Sequence, residues 1–363
     1  MTMTATRTAH RDVRLYEVVR SAHLERAHDF EPATIIYRDR RYDYDASLEP
    51  GLDLTQAGDV RAARIIARSH VQTLEVNEPL MLSAARRTAL SVAAVRAVDA
   101  LRGSHTSIVS YAIENLEPPR ATGPRGRIGR WGRMRLARYV HRNIDRLAFG
   151  TDAAWDLYHD TFSAGRRQST RIIPALPSAA EGGGTGQREA VVGFLGAFDE
   201  RKGLRELLAA WPHVRAVRPD ARLVLLGKGP LQPLAEDAAD DDPSISLVVD
   251  PPRSAIPAAL RSVKALALPS QPRERWREQV GLPIVEGLAN GCVIVTTQES
   301  GLSSWLAAEG HHVVPSDAGP ETLAAALVAA LDDPRTPQEV LDALPLVDGR
   351  RAADQWLFER AIA

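Results

Sequence analysis

The sequence predicts an α/β protein built from two Rossmann-like domains facing across a cleft, the second a parallel sheet covered on both faces. Three observations carry that expectation. From Ala190 onward short apolar strands alternate with amphipathic helices, the pattern of a parallel sheet buried under helices. The first half repeats the alternation less regularly. Between them, residues 179–187 are small, polar and glycine-rich, the composition of a linker. At 363 residues the chain has room for two domains. The expected division is a first domain over 1–178, a linker over 179–187 and a second domain over 188–348.

Within the first half, strands are expected from Arg14, Ala33, Val71 and Thr106, with a helix over 82–101 between the last two. Two further strands, from Arg146 and Arg171, flank a helix over 152–161, and this layer reads as the smaller one. The second half gives strands at 190–196, 222–227, 245–249, 265–269 and 293–297. Helices at 204–216, 231–239, 256–263 and 320–331 separate them, with a short helix starting near Leu282. In such sheets ligands bind beyond the carboxyl ends of the strands. The glycine-marked loops of this half all follow strands.

Composition excludes several classes. The content is 44% hydrophobic and 25% charged with a formal net charge of −1, so no global field draws the chain to nucleic acid or membrane. One cysteine, Cys292, rules out an internal disulfide and a cysteine-based metal cluster, and reads as a small buried hydrophobe. The start of the sequence mixes Thr, Arg, His and Asp and does not read as a signal peptide. No apolar run is long enough to span a bilayer, so a cytoplasmic location is expected. No metal site is expected either: His311 and His312 stand before a strand without acids or thiols at ligand spacing. Basic residues are nearly all arginine, and the only lysines are Lys202, Lys228 and Lys264, which gives each lysine more weight.

The chemistry concentrates around Glu278 and Glu286. Between them Gly281 lets backbone approach a ligand, and the helix beginning at Leu282 offers amide N–H groups and a positive dipole end to an anion. Two carboxylates on either side of a phosphate can accept hydrogen bonds from hydroxyls at both ends of one ligand. A nucleotide sugar has that make-up. Upstream, Gly196 closes a strand and Lys202 stands before a helix with Gly203 behind it, a mobile cation suited to a diphosphate. Lys228 ends the next strand in Leu226-Gly-Lys-Gly-Pro.

Taken together, Gly196…Lys202-Gly203, Leu225-Leu-Gly-Lys-Gly-Pro, Leu268-Pro-Ser270 and Trp276-Arg-Glu278-Gln-Val-Gly281…Glu286-Gly-Leu-Ala-Asn-Gly291 resemble the donor-binding half of retaining glycosyltransferases of GT-B architecture, family 4-like. The resemblance runs over residues 190–331 and implies roles residue by residue. Lys202, with Arg201 beside it, would hold the diphosphate, and Glu286 the ribose hydroxyls. Glu278 and the backbone at Gly281 and Leu282 would hold the transferred sugar and its phosphate. It implies a UDP- or GDP-linked co-substrate, no metal, a glycan or lipid-linked acceptor, and a helix over 349–363 returning to the first domain.

The chain departs from the family pattern in three places. Ala197 stands where an arginine is common, leaving Arg201 as its substitute. Ser21-Ala-His-Leu-Glu-Arg replaces the usual glycine-rich loop after the first strand. Glu114 stands where a first-domain histidine is expected, and a carboxylate there could bond a sugar hydroxyl or take the acceptor proton. Glu75, Asn77 and Asn115 end neighbouring strands and are the acceptor-side candidates. Two rival readings share the fold: a phosphorylase or epimerase, and a non-catalytic binding protein. Finally, Arg120 to Arg146 carries nine arginines with Asp145 as the only acid, Trp131 lying on the arginine side. That face could lean on anionic lipid. Nucleic acid is not expected, since no aromatic platform accompanies it.

Overall fold

The computed structural model describes residues 7–41, 44–118, 122–163, 168–180 and 186–359. Residues 181–185 of the expected linker, Arg120 of the arginine stretch and residues 360–363 lie outside these. The chain forms two compact units, one of residues 1–173 with 350–363, the other of residues 174–349. The boundary between Ile173 and Pro174 precedes the glycine-rich stretch. Residues 174–180 join the second unit, where the N–H of Ala180 bonds to the carbonyl of Ala289.

The first unit runs β1 (Asp12–Val19), α1 (Ser21–Asp29), β2 (Thr34–Arg40), β3 (Asp53–Gln56), α2 (Asp59–Arg68), β4 (Thr73–Glu75), α3 (Ala85–Arg102), β5 (Ser107–Ala112), α4 (Gly123–Asn143), β6 (Arg146–Phe149), α5 (Asp152–Thr161) and β7 (Ser169–Ile172). Its seven strands are parallel in the order β3-β2-β1-β4-β5-β6-β7. This is the larger sheet, which corrects the expectation of a smaller first layer. The sequence hides the difference because β3 is four residues of mixed polarity, Asp-Leu-Thr-Gln, at the sheet edge. In the arginine stretch, helix α4 ends at Asn143, and the strand expected from Arg146 is β6, which opens opposite Val109.

The second unit runs β8 (Val191–Leu195), α6 (Leu204–Val217), β9 (Arg222–Gly227), α7 (Gln232–Asp241), β10 (Ile245–Val249), α8 (Ile256–Leu260), β11 (Ala265–Leu268), α9 (Leu282–Ala289), β12 (Val293–Thr297), α10 (Ser303–Ala308), β13 (His312–Val314), α11 (Pro320–Leu331) and α12 (Pro337–Asp342). Its six strands are parallel in the order β10-β9-β8-β11-β12-β13. Every residue of the central strands β8, β11 and β12 is buried, which is why they read as unbroken apolar runs. Burial of that surface at about 25 cal/mol per Å² drives the layer together. The strand order reverses between β8 and β11, so their carboxyl ends open the crevice where such sheets bind ligands.

A last helix, α13 (Gly349–Phe358), ends the described chain. Ala353, Leu357 and Phe358 pack on Val109 of β5 and Ala148 of β6. Polar contacts complete the docking. The Arg146 guanidinium donates to the carbonyls of Trp356 and Leu357 at 3.0 and 3.3 Å, supplying cations to the helix end where unpaired carbonyls collect.

Candidate functional site

The site grows from the turns after β8 and β11. After β8 the chain passes Gly196 (φ +138°) and forms a tight 3-10 turn, Glu200–Lys202, whose first N–H groups are capped by Asp199. Gly203 then starts α6 at φ +76°, and a Cβ there would come within 1.9 Å of the Pro269 carbonyl. Only glycine permits that approach, and it presses the lysine-bearing turn against the end of β11. The N–H of Gln271 donates to the Arg201 carbonyl at 2.9 Å and ties the two loops.

Through this contact Lys202 reaches Glu278. The ammonium donates to Oε2 of Glu278 at 2.5 Å, and the buried Ser270 hydroxyl donates to the same oxygen at 3.2 Å. Both charged side chains are largely withdrawn from water, at 12% and 9% exposure. The Glu278 backbone is fixed too, since its carbonyl accepts from the N–H of Gly301 beside β12. Trp276 completes the group: its ring lies 4.8 Å from the Arg201 guanidinium and 5.2 Å from the Lys202 ammonium.

Gly281 (φ +83°) turns the chain into α9, whose first intrahelical bond runs from the N–H of Val285 to its carbonyl. The N–H groups of Leu282 and Ile284 precede that bond and point out of the helix start, while Pro283 offers none. Pro283 lies against Gly196, so both loops border this helix end. Leu282 is half exposed beside it. One helical turn on, Glu286 meets the guanidinium of Arg253 at 3.3 Å. Lys228 pairs with Asp250 at 2.7 Å, both well exposed, a contact worth little energetically.

The structure therefore joins Arg201, Lys202, Glu278, Gly196 and Gly281 in one cluster, with Leu282 at the adjoining helix start. It gives Glu286 and Lys228 separate partners. Cations, a buried carboxylate and outward amides at a helix start can bind an anion and hydroxyls together. Ser270 and Trp276 sat inside the quoted motifs without a role, and Arg253 carried no signal among so many arginines. Two side chains play no part in this chemistry. Cys292 is fully buried and burial pushes its thiol up to about 11. His311 accepts from the N–H of Ile294, and burial holds it down near 3. Among the described residues no group of three or more His, Cys, Asp or Glu could hold a metal.

In the first unit the acceptor-side candidates end β4 and β5. Glu75 is an ion-pair partner of the buried Arg14. The Asn77 carbonyl oxygen accepts from the N–H of Glu17, and its buried amide nitrogen makes no hydrogen bond within the protein. Glu114 accepts from the N–H of Leu116, which folds the loop that also carries Asn115. Glu78, which no motif singles out, organises this loop. Its Oε2 accepts from the N–H groups of Ile113 and Glu114, at 3.1 and 3.0 Å, and from the hydroxyl of Tyr158. Burial, then the Glu114 charge, pushes its carboxyl up to about 7.

Glu78 thus binds a proton more tightly in the folded chain than in the unfolded one. The stability it lends is complete below the ordinary glutamate range and is lost as pH rises through about 7. Relative to Glu78→Gln, the wild type is expected to lose stability steadily between about pH 4.5 and 7. Parallel urea midpoints for the two proteins across that window would remove Glu78 as the titrating group.

Comparison with known proteins places this architecture. Among solved structures, the lipopolysaccharide outer core galactosyltransferase WaaB overlays 96% of this chain and 99% of its own at a TM-score of 0.65, with 10% identity. Anabaena Alr3699/HepE in complex with UDP overlays 96% of each chain at 0.63, with 12% identity. At such identities these overlays establish the fold, the two-sheet GT-B architecture. The second unit is more specific: residues 189–333 match the family described as Glycosyl transferases group 1. The phosphatidyl-myo-inositol mannosyltransferase of Mycolicibacterium smegmatis is 31% identical over 142 residues, 39% of this chain and 36% of that protein. The chain spans between about a third and a half of the length of the curated relatives it matches. Over the whole chain the likeness is one of GT-B fold, and the likeness to group 1 glycosyl transferases is carried by the second unit.

Proposed function

We propose that this protein transfers a sugar from a UDP- or GDP-linked nucleotide sugar to a glycan or lipid-linked acceptor, with retention of configuration and without a metal. The observation that carries the reading is the Lys202–Glu278–Ser270 cluster beside the start of α9. Lys202, Arg201 and the amides of that helix take the diphosphate, Glu278 the sugar hydroxyls and Glu286 the ribose. Lys228, on the neighbouring loop, lies at the periphery. The acceptor oxygen bonds to the anomeric carbon as the carbon–oxygen bond to the diphosphate breaks. The electron pair goes to the departing phosphate, which takes the acceptor's proton on the same face. Cations and oriented N–H groups stabilise the charge developing there, the part a metal plays elsewhere. A Mycolicibacterium relative named for phosphatidyl-myo-inositol and a solved structure in complex with UDP support these substrate classes.

On this reading the first unit takes the acceptor, with Glu114, Asn77 and Asn115 bonding its hydroxyls, while Glu75 is spent on Arg14. A lipid-linked acceptor also fits α4, where Ile128 and Trp131 are 69% and 60% exposed among exposed arginines, favouring contact with an anionic membrane. No helix among the described residues is long and apolar enough to cross one.

The test incubates the protein with UDP-, GDP- and ADP-sugars, with and without phosphatidylglycerol vesicles, and follows nucleotide release. Release with one donor, lost in Glu286→Ala, is expected. Silence with every donor would end the transferase reading, and equal flotation with neutral and anionic vesicles would end the lipid contact.

A further inference from the structure

We infer that Trp276 is a positioning residue that holds Arg201 and Lys202 aimed at the terminal phosphate of the nucleoside diphosphate, an inference that rests on the donor reading above. Arg201 and Lys202 are consecutive in a 3-10 turn, where neighbouring side chains diverge by about a third of a turn. Their charged ends nonetheless converge on one indole, at 4.8 and 5.2 Å. Two cations brought side by side repel each other, and the negative face of the ring offsets that cost. The indole is itself pinned. Arg273 and Trp276 exchange backbone hydrogen bonds, both 3.2 Å, which close a tight turn two residues before Glu278.

The other partners of these cations are carboxylates. Asp199 lies 3.5 Å from Arg201, and Glu278 holds Lys202. A carboxylate competes with an incoming phosphate for the cation and repels the phosphate as well. An indole does neither. When Lys202 exchanges Glu278 for phosphate, the ring contact persists, and the long side chains keep the order that binding would otherwise have to impose. The segment 276–278 thus gives one cation pair two grips, one exchangeable and one constant.

The experiment measures equilibrium binding of UDP and GDP, and of UMP and GMP, to the full chain as wild type, Trp276→Phe and Trp276→Leu. Monophosphates lack the group the cation pair receives. The leucine variant is expected to weaken diphosphate binding about tenfold and leave monophosphate binding unchanged, with phenylalanine restoring most of the loss. Undiminished diphosphate affinity in Trp276→Leu overturns the inference. So does an equal loss for mono- and diphosphates, which would make Trp276 a support of the fold alone. If the wild type binds no diphosphate, the donor reading falls first and takes this inference with it.

Discussion

Lys202→Ala is expected to lower kcat/KM for the proposed sugar transfer by about 10²–10³, the usual cost of removing one electrostatic partner of a developing charge. The ammonium sits at the carboxyl end of β8, held at 2.5 Å from Glu278 and over the Trp276 ring. Removing it also takes the charged partner from the Glu278 side chain, 9% exposed, which keeps the Ser270 hydroxyl as a donor. A lost partner in a buried pair costs about 3–5 kcal/mol of stability, so a fall in activity could reflect unfolding. The double variant Lys202→Met with Glu278→Gln separates the two effects. It removes both charges together, so stability is expected to stay close to wild type while transfer stays lost. Single-variant kcat/KM within about threefold of wild type would withdraw Lys202 from the diphosphate, since even a modest contact should exceed that.

The second unit was legible because its chemistry is written next to its structure. Lys202 and Glu278 lie in the loops that follow β8 and β11, and glycines at 203 and 281 mark where backbone must turn sharply or touch. The helix starts at Leu204 and Leu282 fall directly after these glycines, and β9 opens at the charged Arg222. The role of Trp276 is not legible in the sequence, because its partners lie seventy-odd residues upstream and no local pattern announces a ring shared by two cations.

The first unit was less legible for the same physical reason turned around. Glu78 matters through three contacts from two other segments, the loop after β5 and helix α5. Nothing in Glu-Val-Asn-Glu-Pro says which partner each glutamate takes. Arg146 falls four residues after Arg142, as a helix would place it, but pairing with β5 overrides helical propensity beyond Asn143 and opens the expected strand there. Glu75 is the clearest case. Its position at the end of β4 pointed to an acceptor contact, and the fold spends it on a cation buried in the sheet.

That cation, Arg14, supports the second large prediction: Arg14→Ala is expected to destabilise the first unit by about 3–5 kcal/mol. The guanidinium is 1% exposed in β1 and reaches Glu75 at 2.7 Å and Asp354 at 2.5 Å. It also donates to the Glu31 carbonyl and lies over the rings of Phe30 and Phe358. Burial opposes its charge, but Glu75, Tyr16 and Asp354 outweigh that and raise its pKa further. One side chain thereby joins β1, β4, the end of α1 and helix α13. Truncation leaves two carboxylates without their shared cation, and α13 loses its ion pair to β1. Replacing the group whole, with Arg14→Met, Glu75→Gln and Asp354→Asn together, should cost less than Arg14→Ala alone, because no charge is left unpaired. Native-state hydrogen exchange at the amides of β1 and β4 reads the first unit separately from the second. Protection in Arg14→Ala that matches the wild type, or that falls below that of the triple variant by nothing, would show that the cluster contributes no net stability.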